Sequence, residues 1–148
     1  MAHEPRDQPY FILATSILVH FTREDALMRK IESSHDLSSN PNVLISVVTE
    51  AEIAALALKF NWGDSKLRRL QSILDALIIV PIPFLNTTEA YARIDNYCLR
   101  HGFKPGKNDL WIAATAHVPR ATLITTDHDF DPLDGIFLSR VLIDSKIS

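Results

Sequence analysis

The chain alternates short, wholly apolar segments with longer stretches whose apolar residues recur at helical spacing. A strand that lacks polar alternation is buried on both faces, which is the usual setting of strands in parallel sheets. Strands of this kind that alternate with helices predict an α/β fold, here a three-layer sandwich with a mostly parallel central sheet. The predicted strands are 11–13, 43–48, 78–80, 122–125 and 141–143.

The predicted helices fill the intervals between these strands. Thr22 and Asp64 are suitable N-cap residues for two of them, and Gly102 is suited to end a third. The hydroxyl-bearing residues 15–16, directly after the first strand, are interpreted as a turn. The predicted helices are 23–34, 50–60, 65–77, 87–101 and 108–117.

Length and composition limit the classes of protein to be considered. With 148 residues, we expect one domain over 10–148, preceded by a flexible polar lead-in over 1–9. The formal net charge of −3 gives no general attraction to nucleic acid, so a nucleic-acid partner needs a local basic surface or metal ions. The single cysteine excludes a disulfide framework, and no apolar run approaches the ~18 residues of a membrane span. These features suggest a cytoplasmic protein without a membrane segment.

Three acidic residues stand at the ends of predicted strands or at the start of a helix. Glu52 follows the strand 43–48, Asp127 follows the strand 122–125, and Asp109 begins a helix. In parallel sheets, ligands bind beyond the carboxyl ends of the strands, so we expect these side chains to lie close together. Carboxylate oxygens are the ligands that Mg²⁺ and similar hard cations prefer. The sequence therefore predicts a divalent-metal site.

Each acidic position also has a simpler interpretation. Asn108 and Asp109 are ordinary helix-capping residues, and Glu52 is equally compatible with an exposed helix surface. The acidic segment 127–134 is compatible with a solvated loop, and its alternating aspartates resemble the start of a calcium-binding loop. Pro132 stands where such a loop requires glycine, which excludes that interpretation.

Four short motifs occur in a fixed order along the chain. Ala-Thr-Ser at 14–16 follows the first strand, and Ser-x-x-Thr-x-x-Glu spans 46–52. Asn-Asp at the start of 108–114 leads into Ile-Ala-Ala, and Thr-x-Asp-x-Asp-Phe spans 125–130. This arrangement resembles the PIN-domain ribonucleases, particularly the VapC-type toxins of bacterial toxin–antitoxin pairs. In that family the first motif begins with Asp, whereas this chain has Ala14.

The resemblance implies an endoribonuclease that depends on Mg²⁺ or Mn²⁺ and cleaves RNA with metal-activated water. It also implies a small antitoxin protein as a partner, and a homodimer. The metal ligands would be Glu52, Asp109 and Asp127, and the positive end of its helix would favour the ionised form of Asp109. RNA would be contacted by Arg100, Lys104 and Lys107. Residues that would hold water or orient the carboxylates are Thr15, Ser16, Thr49, Asn108, Thr126 and Asp129.

Ala14 is the one departure from the family's acidic pattern. Alanine offers no oxygen to a metal, and we therefore expect this form to be inactive or weakened. Two origins are open, an engineered inactivation of a toxic nuclease and a natural pseudo-nuclease that binds RNA or a protein without cleavage. Apolar helix faces around Leu56 and between Leu67 and Leu77 are candidates for contact with a partner, or for the core.

Overall fold

The computed structural model of the protein describes residues 8–82 and 86–144. Most of the predicted lead-in, residues 1–7, lies outside the described residues. The last two residues of that segment are attached to the domain. The side-chain amide of Asn42 donates to the carbonyl oxygen of Gln8 over 2.9 Å, and that of Asn40 donates to the carbonyl oxygen of Pro9 over 2.9 Å.

A five-stranded parallel sheet forms the centre of the fold, as the sequence predicts. Its order is β3-β2-β1-β4-β5, so the direction of strand succession reverses between β1 and β4. Every pair of neighbouring strands runs parallel. The strands are β1 (Phe11–Leu13), β2 (Val43–Ser46), β3 (Ile78–Val80), β4 (Thr122–Thr125) and β5 (Ser139–Leu142).

Six α-helices among the described residues connect and cover these strands. Two short 3₁₀ segments, Leu37–Ser39 and His128–Leu133, complete the regular structure. The helices are α1 (Thr15–Arg23), α2 (Ala26–His35), α3 (Val47–Lys59), α4 (Asp64–Asp75), α5 (Thr87–His101) and α6 (Lys107–His117). None of the helices described is both long enough and apolar enough to span a membrane.

Successive residues of the inner strands belong to different halves of the core. Ile12 packs in the cluster that contains Ile94 of α5, whereas Leu13 packs in the cluster that contains Ile31 of α2 and Leu70 of α4. All of these side chains are buried. Since successive side chains of a strand point to opposite faces, the sheet is covered on both sides, and the three-layer sandwich is confirmed.

The main error in the predicted helices concerns the segment after β1. The predicted turn at 15–16 is the start of α1, and the predicted helix 23–34 is replaced by α2, which begins at Ala26. The predicted cap Thr22 lies inside α1 and donates its hydroxyl to the carbonyl oxygen of Val19 over 2.7 Å. Asp25 caps α2 instead, since its side chain accepts from the backbone N–H of Met28 over 2.9 Å.

The other errors concern the exact ends of elements. The strand predicted over 43–48 ends at Ser46, because the Ser46 hydroxyl accepts from the backbone N–H of Val48 over 3.0 Å and begins α3. Asp64 is the first residue of α4, and the N-cap is Gly63. The fifth strand begins at Ser139, two residues before its predicted start. At Ser46 a local hydrogen-bonding side chain therefore sets the boundary, rather than hydrophobic periodicity.

We expect Asp25→Ala to lower the free energy of unfolding by about 1 kcal/mol, because α2 loses its N-cap acceptor. Asp25→Asn keeps an acceptor oxygen at the same place and should lose clearly less. Urea unfolding of the two variants beside the parent measures the difference. Equal losses in both variants would mean that the contact with His20, at 2.7 Å, dominates over the cap.

Candidate functional site

The predicted acidic residues come from three elements that meet at the carboxyl ends of the strands. Glu52 lies in the second turn of α3, which directly follows β2. Asp127 lies two residues after β4, and Asp109 lies in the first turn of α6. Because β1 separates β2 from β4, all three elements surround the end of β1, where the strand order reverses. This is the usual ligand position in open α/β sheets.

The tightest acidic group consists of Asp109, Asp127 and Asp129. One carboxylate oxygen of each lies within 4.8 Å of those of the other two. The backbone N–H of Asp129 donates to Asp127 Oδ1 over 3.0 Å, which turns the chain into the 3₁₀ segment and brings Asp129 back towards the site. The sequence assigned Asp129 to a supporting position, and the geometry places it among the converging carboxylates. These three residues are hereafter the acidic cluster.

Within the acidic cluster, the pKa of Asp109 is shifted by its surroundings. Burial raises the pKa of its carboxyl to about 6, and the charges of Asp127, Asp129 and Glu52 act in the same direction, as does a hydrogen bond with Asp129. Allowing for solvent screening at this half-buried carboxyl, the shift corresponds to about 1–2 kcal/mol. The favourable effect of a helix N-terminus on a carboxylate is typically about 0.3–1 kcal/mol, so burial and the neighbouring charges outweigh the effect of α6 on the pKa of Asp109.

Glu52 lies beside the cluster and is held from two sides. Its Oε1 accepts from the Thr15 hydroxyl over 2.7 Å, and its Oε2 accepts from the side-chain amide of Asn108 over 3.3 Å. The Thr15 hydroxyl also lies 3.4 Å from the hydroxyl oxygen of Thr49. Three residues predicted to orient carboxylates thus lie at one carboxylate, at the junction of α1, α3 and α6.

The segment after β4 is fixed by hydroxyl groups. The backbone N–H of Thr126 donates to the Ser16 hydroxyl oxygen over 3.3 Å, which ties this segment to α1. The backbone N–H of Asp127 donates to Thr125 Oγ1 over 3.0 Å. Sequence reasoning missed the role of Thr125, although a Thr two residues before an Asp is a known signal for such a turn.

Ala14 occupies the end of β1 and the N-cap position of α1. Its side chain is buried, with 4% exposed, and it offers α1 no side-chain hydrogen bond. Its backbone N–H donates to the carbonyl oxygen of Ile124 in β4 over 3.0 Å. Ala14 therefore lies at the strand end nearest to the segment that carries Asp127.

The predicted basic residues are distributed around this edge. Lys107 is the first residue of α6, two positions before Asp109, and Lys104 lines a cavity together with Asp129. Arg100 lies in the last turn of α5. All three side chains are exposed.

The acidic cluster suits a hard divalent cation. Every donor is a carboxylate oxygen, the kind of ligand that Mg²⁺ and Mn²⁺ prefer, and burial and the neighbouring carboxylates together raise the pKa of Asp109. The neighbouring Glu52 could add a fourth carboxylate. The residues present therefore fit such an ion.

Cavity size is a poor guide to this site. One cavity of about 740 Å³ is lined by Arg93, His117, Arg120 and Ser139, among others. Arg120 precedes β4 and Ser139 begins β5, so this cavity lies at the amino ends of the strands, opposite to the acidic cluster. We assign the functional site from the converging charges and the fold, because these agree with each other.

The sequence profile of the PIN domain matches residues 11–136. This chain belongs to the PIN-domain family. The ribonuclease VapC5 of Mycobacterium tuberculosis is 32% identical to it over 94 residues, which are 63% of this chain and 70% of that protein. The predicted resemblance is confirmed.

Solved structures of similar fold come from toxin–antitoxin systems. VapBC-5 of Mycobacterium tuberculosis superposes with a TM-score of 0.68 and 25% identity, over 90% of this chain and 98% of that one. A chain of VapBC2 from Rickettsia felis, in a complex with a promoter DNA fragment, gives a TM-score of 0.75 over 88% of this chain and 98% of that one. Its identity of 23% supports the fold alone.

The acidic cluster predicts a distinctive pH dependence of stability in chelator. The pKa of Asp109 is raised from 3.8 to about 6, so the folded protein binds more protons than the unfolded chain in this interval. The contribution of Asp109 to stability is therefore fully present below pH 4 and is lost as the pH rises through 6. Allowing for screening by salt, we expect a loss of about 1–2 kcal/mol.

Asp109→Asn removes this titration and should be more stable than the parent at pH 7 by the same amount. Urea unfolding from pH 4 to 7.5 measures both effects. Asp95→Asn, at an exposed position of α5, is the matched control and should keep the pH dependence of the parent. The same slope in parent and Asp109→Asn would contradict the electrostatic account of the cluster.

Proposed function

We propose that this chain is a VapC-type endoribonuclease toxin whose activity depends on Mg²⁺ or Mn²⁺ and is weakened or absent because Ala14 replaces a metal-binding carboxylate. The observation that carries the proposal is the convergence of Asp109, Asp127 and Asp129 beside Glu52 at the carboxyl ends of a PIN-domain sheet. The ribonuclease relationship of VapC5 supports the reaction class. We propose a single domain over 10–148 and action in the cytoplasm.

Asp109 and Asp127 would hold the cation, with Asp129 and Glu52 as further oxygen donors. A bound Mg²⁺ or Mn²⁺ supplies a nucleophilic water and stabilises charge on the scissile phosphate. Because the cluster gathers negative charge, the phosphate can approach only when that charge is neutralised.

The neighbouring residues would act by fixing the direction of these carboxylates. Thr15 and Asn108 restrain both oxygens of Glu52, and Thr49 supports Thr15. Ser16 and Thr126 hold the segment that leads into Asp127. Such support typically affects metal affinity or activity by about 10–100-fold.

RNA would be contacted by the exposed cations near this edge. Lys107 lies one turn or less from Asp109 on α6, and Lys104 lies at a cavity wall shared with Asp129. Arg100, at the end of α5, would contact a more distant phosphate. Because the net charge is −3, these local cations and the metal would carry the attraction to RNA.

Ala14 gives the alternative function its basis. A chain in which the other acidic motifs are intact and one carboxylate is missing also fits a pseudo-nuclease that binds RNA or a protein without cleaving it. The distinction depends on whether a carboxylate at position 14 restores cleavage. Position 14 would also have a structural role, because it is the N-cap of α1. An Asp side chain there would accept a hydrogen bond from a backbone N–H of the first turn of the helix.

The protein partners would be a small antitoxin and a second copy of this chain. The similarity to VapBC-5, a member of a family of toxin–antitoxin systems, supports the antitoxin. Of the apolar faces considered, Leu70 is buried and Leu77 is half-buried, so the face from Leu67 to Leu77 mostly serves the core. The exposed remainder at α3 and α4 is Leu58, Phe60 and Leu67, and we propose this surface for the dimer.

Restoring the carboxylate with Ala14→Asp should produce RNA cleavage that requires Mn²⁺. Ala14→Asn is the matched control, because it supplies the same N-cap acceptor without a charge. We expect Ala14→Asn and the parent to cleave at least about 10–100-fold more slowly. Asp109→Asn in the Ala14→Asp background should abolish cleavage, and so should a chelator. A gel assay on RNA of mixed sequence measures cleavage by the parent and by each of the three variants.

Thermal melting of Ala14→Asp and Ala14→Asn tests, independently of activity, whether the side chain at position 14 faces the acidic cluster. In chelator, Ala14→Asp should melt below Ala14→Asn, because only Asp adds charge to the cluster; in Mn²⁺ it should gain more stability. A restored protein that gains stability from Mn²⁺ yet cleaves no RNA from a varied pool would contradict the nuclease proposal and favour the pseudo-nuclease.

We expect the protein to be a dimer in light scattering at about 50 μM, where a contact with a micromolar Kd is well populated. Leu58→Asp should shift it to the monomer, because a charge enters the proposed apolar contact. Leu99→Asp is the control, at a leucine of α5 with 77% exposure against 84% for Leu58. A monomeric parent would count against the dimer, and equal effects of both variants would count against this surface.

A further inference from the structure

A cavity of about 310 Å³ adjoins the acidic cluster. It lies between the turn that joins α5 to α6 and the 3₁₀ segment His128–Leu133. Asp129 belongs both to the cluster and to the cavity wall, so the two sites adjoin at this residue. The lining includes Cys98, Phe103, Lys104, His128, Asp129 and Leu133.

The lining combines apolar, aromatic and charged side chains, and the charged ones include Asp129 as well as Lys104. Cys98 and Leu133 are 2% exposed and form an apolar base. Phe103 adds an aromatic ring that is 37% exposed, and Lys104 adds an exposed ammonium group. An apolar base with an aromatic ring and a cation matches a flat heterocycle linked to a phosphate, which is how proteins hold the bases of single-stranded nucleic acid.

The backbone of Phe103 is held at the end of α5. Gly102 ends α5 with φ = 77°, and the backbone N–H of Phe103 donates to the carbonyl oxygen of Cys98 over 2.8 Å. The Phe103 ring lies nearly parallel to the imidazole of His101, with 6.2 Å between centroids and 10° between planes, and His101 stacks on Tyr97 at 4.1 Å. A residue held in this way loses little conformational freedom on binding.

We infer that this cavity binds the base of the nucleotide next to the phosphate at the acidic cluster, with the base stacked on Phe103 and its own phosphate near Lys104. The inference rests on the proposed function, because it needs RNA at the cluster. It assigns the choice of nucleotide beside the cleavage point to the turn 102–105, rather than to the acidic residues. An apolar side chain of a partner protein is the competing occupant, and Lys104 at the opening favours the nucleotide.

The test uses a short single-stranded RNA in which 2-aminopurine replaces one base at a time. The fluorescence of 2-aminopurine falls when it stacks on an aromatic ring. With the present Ala14 protein and Mn²⁺, we expect strong quenching at one position of the bound RNA, and an anisotropy titration of the same RNA gives the Kd. Gel analysis after each titration establishes that the RNA is intact.

Phe103→Leu keeps an apolar side chain of similar size and removes the ring. We expect it to lose the quenching and to weaken binding about 5- to 100-fold, the range for loss of one stacked base. Phe103→Tyr should restore both. Tyr10→Leu is the matched control, at an aromatic residue with 38% exposure that precedes β1 at the opposite edge of the sheet, and it should bind as the parent does.

The outcomes separate this inference from the proposed function. RNA binding with no quenched position, or with quenching that survives Phe103→Leu, would overturn the base site and leave the nuclease proposal intact. Absence of RNA binding in the parent, together with absence of cleavage by Ala14→Asp, would overturn both. Quenching that requires Phe103 would establish the site whether or not Ala14→Asp cleaves RNA.

Discussion

The parallel pairing of β1 with β4 is the contact on which the rest of the site depends. β1 has only three residues, yet it is the central strand, and Leu13 lies opposite Ile124 in the register with β4. The hydrogen bond from the Ala14 N–H to the Ile124 carbonyl oxygen continues this register past the end of the strand. A slip of one residue would turn every side chain of β1 to the other face of the sheet. The pairing therefore fixes at once which side chains enter the core and where α1 and the Asp127 segment meet.

The sequence predicted the architecture well because each strand is an apolar segment. Such a segment is stable only when it is buried on both faces, as in the centre of a parallel sheet. All five strands, the parallel sheet and the covered faces follow from segments such as 43–48 and 122–125. The errors fall where one hydrogen bond decides the outcome. The Ser46 hydroxyl ends β2 and begins α3, and Asp25, rather than the predicted Thr22, caps the helix that follows α1. Periodicity averages over many residues, whereas a cap is a property of one side chain.

For the site, the sequence identified the residues and their neighbourhood but not their arrangement. Glu52, Asp109 and Asp127 were expected as equivalent ligands. In the structure, Glu52 is restrained by Thr15 and Asn108, and Asp129 occupies the tight group through a turn that depends on a backbone hydrogen bond to Asp127. The net electrostatic state of Asp109 also required coordinates, because burial and three neighbouring charges oppose the helix terminus and exceed its effect. The spacing of residues along the sequence does not reveal how these opposing effects on the pKa of Asp109 compare.

Asp129 lies both in the acidic cluster and in the wall of the cavity beside Phe103. Binding of a cation at the cluster and binding of a base in the cavity are therefore linked. A cation that draws in the Asp129 carboxylate would also change the surface of the cavity beside Phe103. By thermodynamic linkage, any effect of the ion on the affinity for a base must be returned as an equal effect of the base on the affinity for the ion. A three-residue stretch from Asp127 to Asp129 would thus couple the two ligands, and an ion that strengthens the binding of a base would itself be held more firmly when RNA is bound.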